Sequence, residues 1–226
     1  MNIQRVSDRI LTLGTMGAVR VMAGKPSAGG DWWDPLGEGL CVLAAYQARG
    51  AANYAASKVN LVNPGVNDLT EVGGAVPWDI VRGFMFNAGN YFTTGIVPAG
   101  GDYTMLVQFD NNAVAWMFFA GVITATRFHV GSATAGQSWD GWGAAQVGRL
   151  GGNTGNYCLA RDQFYFNGIA NGAPLGGAFG VPNAIALGAA NNGSYKATVD
   201  EWAVWIGDCA LTAPQVLSVS NAMSLL

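Results

Sequence analysis

Between residues 40 and 206 no apolar run goes far before Gly, Asn or Pro cuts it, and this punctuation constrains the fold more than any other feature. Short apolar or alternating runs separated by turn residues are how sandwiches and barrels look in sequence. The runs predict strands at 40–46, 83–87, 91–94, 103–109, 113–120, 126–130, 144–149, 157–161, 163–167, 184–188 and 196–206. Asp110-Asn111-Asn112, Asn167-Gly168 and Asn192-Gly193 supply turn chemistry at the breaks. With 33 Gly in 226 residues, beside 8 Trp, 7 Tyr and 10 Phe, disorder, coiled coil and long-helix folds are excluded. No period of 20–50 residues appears, which excludes solenoids and propellers.

Two strands carry further information. In 113–120, Val114, Trp116 and Phe118 alternate with Ala115, Met117 and Phe119, so both faces are apolar and both should be covered, as in an interior strand or at an interface. In 196–206, Asp200 and Glu201 stand side by side among apolar residues. Two adjacent carboxylates cannot both enter an apolar core, so a bulge, a strand end or a metal is expected there. One helix is signalled at the end of the chain: Thr212 as N-cap with Gln215 three residues on makes a capping box. Ala213, Val216, Leu217, Ser220 and Met223 give it an apolar stripe.

Only 11 Lys and Arg and 14 Asp and Glu occur, for a formal net charge of −3, and no basic run is present. The electrostatic footprint of a nucleic-acid or anionic-lipid partner is missing. A free domain usually carries about a quarter charged residues, so much of this surface is expected to be covered in an assembly or kept in water by small and amide side chains. Cys41, Cys158 and Cys209 form no C-x-x-C pair and sit among apolar neighbours, which predicts buried free thiols, with one bridge or an intersubunit bond as the alternatives. Residues 1–35 are Gly-rich, have no period that would bury a face, and are expected to form an extended arm anchored by Trp32 and Trp33. Asp8, Arg9 and the broken apolar run after them speak against cleavage near Val21-Met22-Ala23, and no stretch reaches the length of a membrane span.

Several segments then fall into a familiar order. Phe84-Met85-Phe86-Asn87, Tyr91-Phe92-Thr93-Thr94, Tyr103 to Phe109, the Tyr165-Phe166-Asn167-Gly168 hairpin, Ile185-Ala186-Leu187-Gly188, and Val199-Asp200-Glu201-Trp202-Ala203-Val204-Trp205 before Leu211-Thr212 and a helix succeed one another. This resembles a laminin G-like member of the concanavalin A-like lectin/glucanase superfamily over roughly residues 40–226. The resemblance implies an all-β, two-sheet antiparallel jelly-roll sandwich over 36–226, with one short C-terminal helix and the arm of residues 1–35 before it. A narrower segment, Cys41 to Gln47 and Gly50 to Gly65, is similar to uncharacterised proteins of tailed bacteriophages and prophages. That likeness implies a virion-associated protein.

Chemistry on the residues is sparse. Glycan hydrolysis needs two carboxylates facing one another across a cleft, yet only Glu38, Glu71 and Glu201 are Glu, and consecutive Asp200 and Glu201 point to opposite faces of a strand. His129 is the single histidine, expected to be partly buried in its strand. No nucleophile elbow, P-loop or dinucleotide fingerprint occurs. Cofactors are therefore expected to be absent, with calcium, which relatives in the superfamily often bind, as the one candidate, at Asp110-Asn111-Asn112 or Asp200. For sugar binding, Ser138-Trp139-Asp140-Gly141-Trp142-Gly143 has the composition of an exposed aromatic platform in a Gly-rich loop. The sequence as a whole points to a non-enzymatic structural protein of a bacteriophage virion, decorating a capsid or forming part of a fibre. It would be a homo-oligomer held to other virion proteins through Trp32 and Trp33, with Trp139, Asp140 and Trp142 available to glycans. The alternative is an extracellular lectin-like module at a cell surface.

Overall fold

A computed structural model describes residues 31–226 except 36, 111–115, 135, 181–182 and 192. In chain order it runs β1 (Val42–Gln47), α1 (Tyr54–Ser57), β2 (Thr70–Val72), β3 (Trp78–Asp79), β4 (Gly83–Asn87), β5 (Tyr91–Thr93) and β6 (Thr104–Asp110). There follow β7 (Met117–Ile123), β8 (Arg127–Thr134), β9 (Gln137–Gly143), β10 (Ala145–Leu150), β11 (Gly155–Ala160) and β12 (Gln163–Phe166). The chain closes with β13 (Ile169–Ala170), β14 (Ala186–Leu187), β15 (Thr198–Gly207) and α2 (Ala213–Met223). One sheet of eight strands has the order β13-β12-β11-β6-β15-β4-β3, with β1 also on β15; the second, of seven, has the order β10-β9-β8-β7-β14-β5-β2. All pairings are antiparallel, so this is the expected all-β two-sheet sandwich with one C-terminal helix.

Strand alternation divides the apolar residues into three groups. Phe84, Phe109, Phe119, Phe128, Trp142 and Tyr157 belong to the core between the sheets. The residues that alternate with them on the eight-stranded sheet, Leu106, Cys158, Ala203 and Trp205, face away from that core and are roofed by Val216, Val219 and Met223 of α2. Trp32 and Trp33 join this roof, and Trp205 Nε1 donates to the Trp33 carbonyl at 2.9 Å. The arm expected over 1–35 lies outside the described residues except for this end, which rests on the chain's own sandwich. The third group, Phe118, Ala133, Trp139 and Ala190, lies on the opposite outer face.

Five expectations need correction. The segment 138–143 is not a loop: β9 pairs on both sides, with β8 and β10, and its glycines are there because neighbouring groups fill the space a Cβ would take, the His129 ring over Gly141 and the Ala178 carbonyl at Gly143. Cys41 and Cys209 are not free thiols. They flank the ends of paired β1 and β15, Asp208 N donates to the Cys41 carbonyl at 3.0 Å, and the Cα atoms stand 5.8 Å apart in a disulfide. A sequence separation of 168 left no local signal of this pairing, and only Cys158 is a buried free thiol. The stripe of α2 is rotated: Val216, Val219, Ser220 and Met223 are buried and Leu217 is exposed beside Gly168. The strand expected at 113–120 starts at Met117, while Trp116 is in the left-handed region at φ 57°. His129 is fully rather than partly buried.

Candidate functional site

Cross-strand pairing places Thr93, Ala186, Gly121, His129 and Gly141 in one row across the seven-stranded sheet. Their sequence neighbours Phe92, Leu187, Ala120, Phe128, Val130 and Trp142 point into the inter-sheet core, so the row lies on the outer face. The His129 ring occupies the space that side chains at Gly121 and Gly141 would need. Its ring centroid is 4.1 Å from that of Phe118 and 5.1 Å from that of Trp139. Neither Nδ1 nor Nε2 has a hydrogen-bond partner among the described residues. Desolvation, with the nearby Arg127 charge as a smaller cause, drives the imidazole well below its ordinary pKa, so His129 is neutral.

Over this buried layer stand two exposed aromatic residues. Trp116 is 57% exposed and meets Trp139 edge-on at 5.1 Å; Tyr195 is 44% exposed and lies 5.3 Å from both Phe118 and Trp139. Both have positive φ, 57° and 52°, a conformation that costs an L-residue about 1–2 kcal/mol. The bond from Phe118 N to the Tyr195 carbonyl at 2.9 Å helps hold Tyr195 there. Sequence reasoning missed this pair because it assigned Trp116 to a strand and gave Tyr195 no role; nothing in an aromatic residue's identity announces a left-handed backbone.

Further along the same face a cavity of about 280 Å³ is lined by Val72, Tyr91, Thr93, Asn183, Ala184, Ala186 and Asn191. Val72 and Tyr91 are cross-strand partners, as are Thr93 and Ala186, which fixes the floor on regular sheet. The Asn191 side chain accepts from Ile123 N at 2.8 Å through Oδ1, leaving its amide nitrogen for a ligand. No hydrogen bond within the described residues commits the side chains of Tyr91, Thr93 or Asn183. Tyr91 packs under Gly193, at the turn where Gly193 N donates to the Ala190 carbonyl at 2.8 Å. One short loop, 190–195, therefore carries both Asn191 of the cavity and Tyr195 of the aromatic pair.

The residues expected to form a sugar platform are not brought together on the surface. Trp139 is 4% exposed and Trp142 2%, and a spacing of three on a strand sends them to opposite faces, Trp139 outward and Trp142 into the core. Asp140 is buried against Arg149 at 3.0 Å, and Arg149 also donates to the Asn171 and Ala173 carbonyls, clamping that loop to the sheet. Burial raises the Asp140 carboxyl above its ordinary value even against the pull of Arg149. Asp200 turns outward to a two-point pair with Arg82, at 2.9 and 3.0 Å. Glu201 turns inward opposite Phe84 and Phe109, fully buried, and desolvation holds it protonated. Asp110, the other calcium candidate, accepts from Thr154 Oγ1; Asn111 and Asn112 lie outside the described residues. Among the described residues no group of three or more His, Cys, Asp or Glu is placed to hold a metal ion, and no helix is long and apolar enough to cross a membrane.

No protein-family model and no curated protein sequence matches this chain. Its fold is similar to that of Trypanosoma rangeli sialidase in complex with 2,3-difluorosialic acid, with TM-score 0.55 and 11% identity over 82% of this chain and 33% of the sialidase chain. A mutant of the same sialidase displaying trans-sialidase activity matches with TM-score 0.53 and 11% identity, over 81% and 33% of the two chains. A tryptophan-to-alanine mutant of HCR D/C VPI 5995 matches with TM-score 0.55 and 8% identity, over 81% and 52%. The chain thus spans about a third of the length of the sialidases. At such identities the likeness is one of fold, a β-sandwich, and none of the structures named is a laminin G domain or a phage protein. The expectation of a non-enzymatic protein is corrected by these matches, since chains of similar fold are sialidases.

Proposed function

We propose that this chain is a carbohydrate-binding β-sandwich that takes its ligand on the outer face of the seven-stranded sheet. The observation that carries the reading is the cavity itself: one aromatic ring, Tyr91, beside hydroxyl and amide groups of Thr93, Asn183 and Asn191 with hydrogen-bonding capacity to spare. A sugar presents C–H faces that pack on a ring and hydroxyls that both donate and accept, and this lining answers both. Trp116 and Tyr195 extend apolar surface alongside, held in a costly backbone conformation of the kind that clusters at binding sites. Sialidases among the chains of similar fold are in keeping with a glycan-related role. The disulfide belongs to an oxidising setting, such as the outside of a cell or of a particle. The virion placement rests on the resemblance of residues 41–65, and there this face would serve adhesion.

The test is saturable binding of the labelled chain on a glycan array. Tyr91→Ala and Trp116→Ala should each weaken the binding by about tenfold or more, about 1.4 kcal/mol, while Leu150→Ala, on the exposed edge strand β10, should leave it unchanged. Binding that ignores both aromatic changes would move the site elsewhere.

A further inference from the structure

Resting on that reading, we infer that the cavity selects a neutral sugar ring and discriminates against anionic sugars such as sialic and uronic acids. None of its seven lining residues carries a charge near neutral pH. Holding a carboxylate takes charge-assisted hydrogen bonds, most effectively the two-pronged fork of an arginine, and enclosing one without them carries a large desolvation cost.

No cationic side chain lines the cavity. Arg127 Nη1 donates to the Ala144 carbonyl at 2.8 Å, Lys196 Nζ to the Gly89 carbonyl at 2.8 Å, and Lys58 pairs with Glu71 at 2.6 Å. The groups that do line the cavity are hydroxyls and amides, which donate and accept equally well. This is the complement of a ring hydroxyl, not of a formal charge. The size agrees: about 280 Å³ falls just below the range of about 300 to 1,000 Å³ for drug-sized ligand cavities, and suits one ring with the rest of a glycan outside. The acidic sugar in the sialidase complex gives no counter-argument, because that likeness is of fold alone.

The experiment titrates the full chain by calorimetry with glucose, galactose and N-acetylglucosamine, and with glucuronic and N-acetylneuraminic acids, at low and at physiological salt. At least one neutral sugar should bind, with both acids at least about tenfold weaker, and Tyr91→Ala should abolish that binding. Asn183→Lys, at an exposed position free of hydrogen bonds within the described residues, should raise affinity for the acids at least about tenfold, in a salt-sensitive way. An acid that binds the unmodified chain as tightly as the neutral sugars, with loss on Tyr91→Ala, would overturn the selectivity and leave the site standing. No binding of any of the five, or binding indifferent to Tyr91→Ala and Asn183→Lys, would overturn the site itself. Thermal unfolding of each variant separates loss of binding from loss of fold.

Discussion

On the eight-stranded sheet the outward side chains of β6, β11 and β15 disappear under α2 and the Trp32-Trp33 segment, and a disulfide pins the edge of that layer. On the seven-stranded sheet the outward side chains of β7, β8 and β9 are interspersed with Gly121, Gly131 and Gly141, and the loop that follows β14 lies over Phe118 and Trp139. The first face buries Leu106, Cys158, Ala203 and Trp205 completely or nearly so. The second leaves a cavity, two exposed rings and a buried histidine with no hydrogen-bonding partner among the described residues. The contrast separates the residues that hold this fold from those available to use it, and it is open to direct perturbation.

The largest effect should come from the closed face. Trp205→Ala removes a fully buried indole and its bond to the Trp33 carbonyl, and denaturant unfolding should show a loss of about 3–5 kcal/mol with glycan binding per folded molecule unchanged. Next, Gly141→Ala drives a methyl into the His129 ring. A loss of about 1–3 kcal/mol is expected, accompanied on this face by weaker binding.

Two titrating groups then give slopes of opposite sign. Burial raises the carboxyl of Glu201, so above pH 4.5 the unfolded chain gives up a proton that the native chain keeps. Stability should therefore fall with rising pH, by about 1.4 kcal/mol per unit up to the native pKa. His129 is pushed the other way, so below pH 6.5 the unfolded chain takes up a proton that the native chain refuses, and stability should fall as pH drops. Comparing pH series of unfolding midpoints, Glu201→Gln should flatten the alkaline limb and His129→Gln the acid limb. If each variant parallels the parent, the assigned protonation states are wrong.

The smallest effect carries an unusual sign. Trp116→Gly relieves a left-handed backbone and should raise stability by up to about 1 kcal/mol while weakening glycan binding. A destabilising result would make Trp116 part of the packing and remove it from the site.

How much of this was legible in the sequence follows from the range of the interactions. Turn residues and alternation are local, so most strands, the helix with its Thr212 N to Gln215 Oε1 bond at 2.9 Å, and the splitting of Asp200 from Glu201 follow from neighbours in the chain. The disulfide is not local, and neither Cys41 nor Cys209 carries a mark of the other. The misreading of 138–143 has a similar cause. Its glycines look like loop residues until His129, on the next strand, is seen to fill their space. The candidate cavity draws Val72, Tyr91, Thr93, Ala186 and Asn191 from four separate stretches of chain, and nothing in those stretches distinguishes them before β14 inserts between β5 and β7.

Because the Cys41–Cys209 bond joins the residue just before the first described strand to one just after the last, every described strand lies within a covalent ring. One protease cut in any exposed loop between these cysteines opens the ring without dividing the molecule. A nicked chain keeps its mass under non-reducing conditions and its halves at high effective concentration. A single cut between these cysteines thus leaves the sandwich held as one piece.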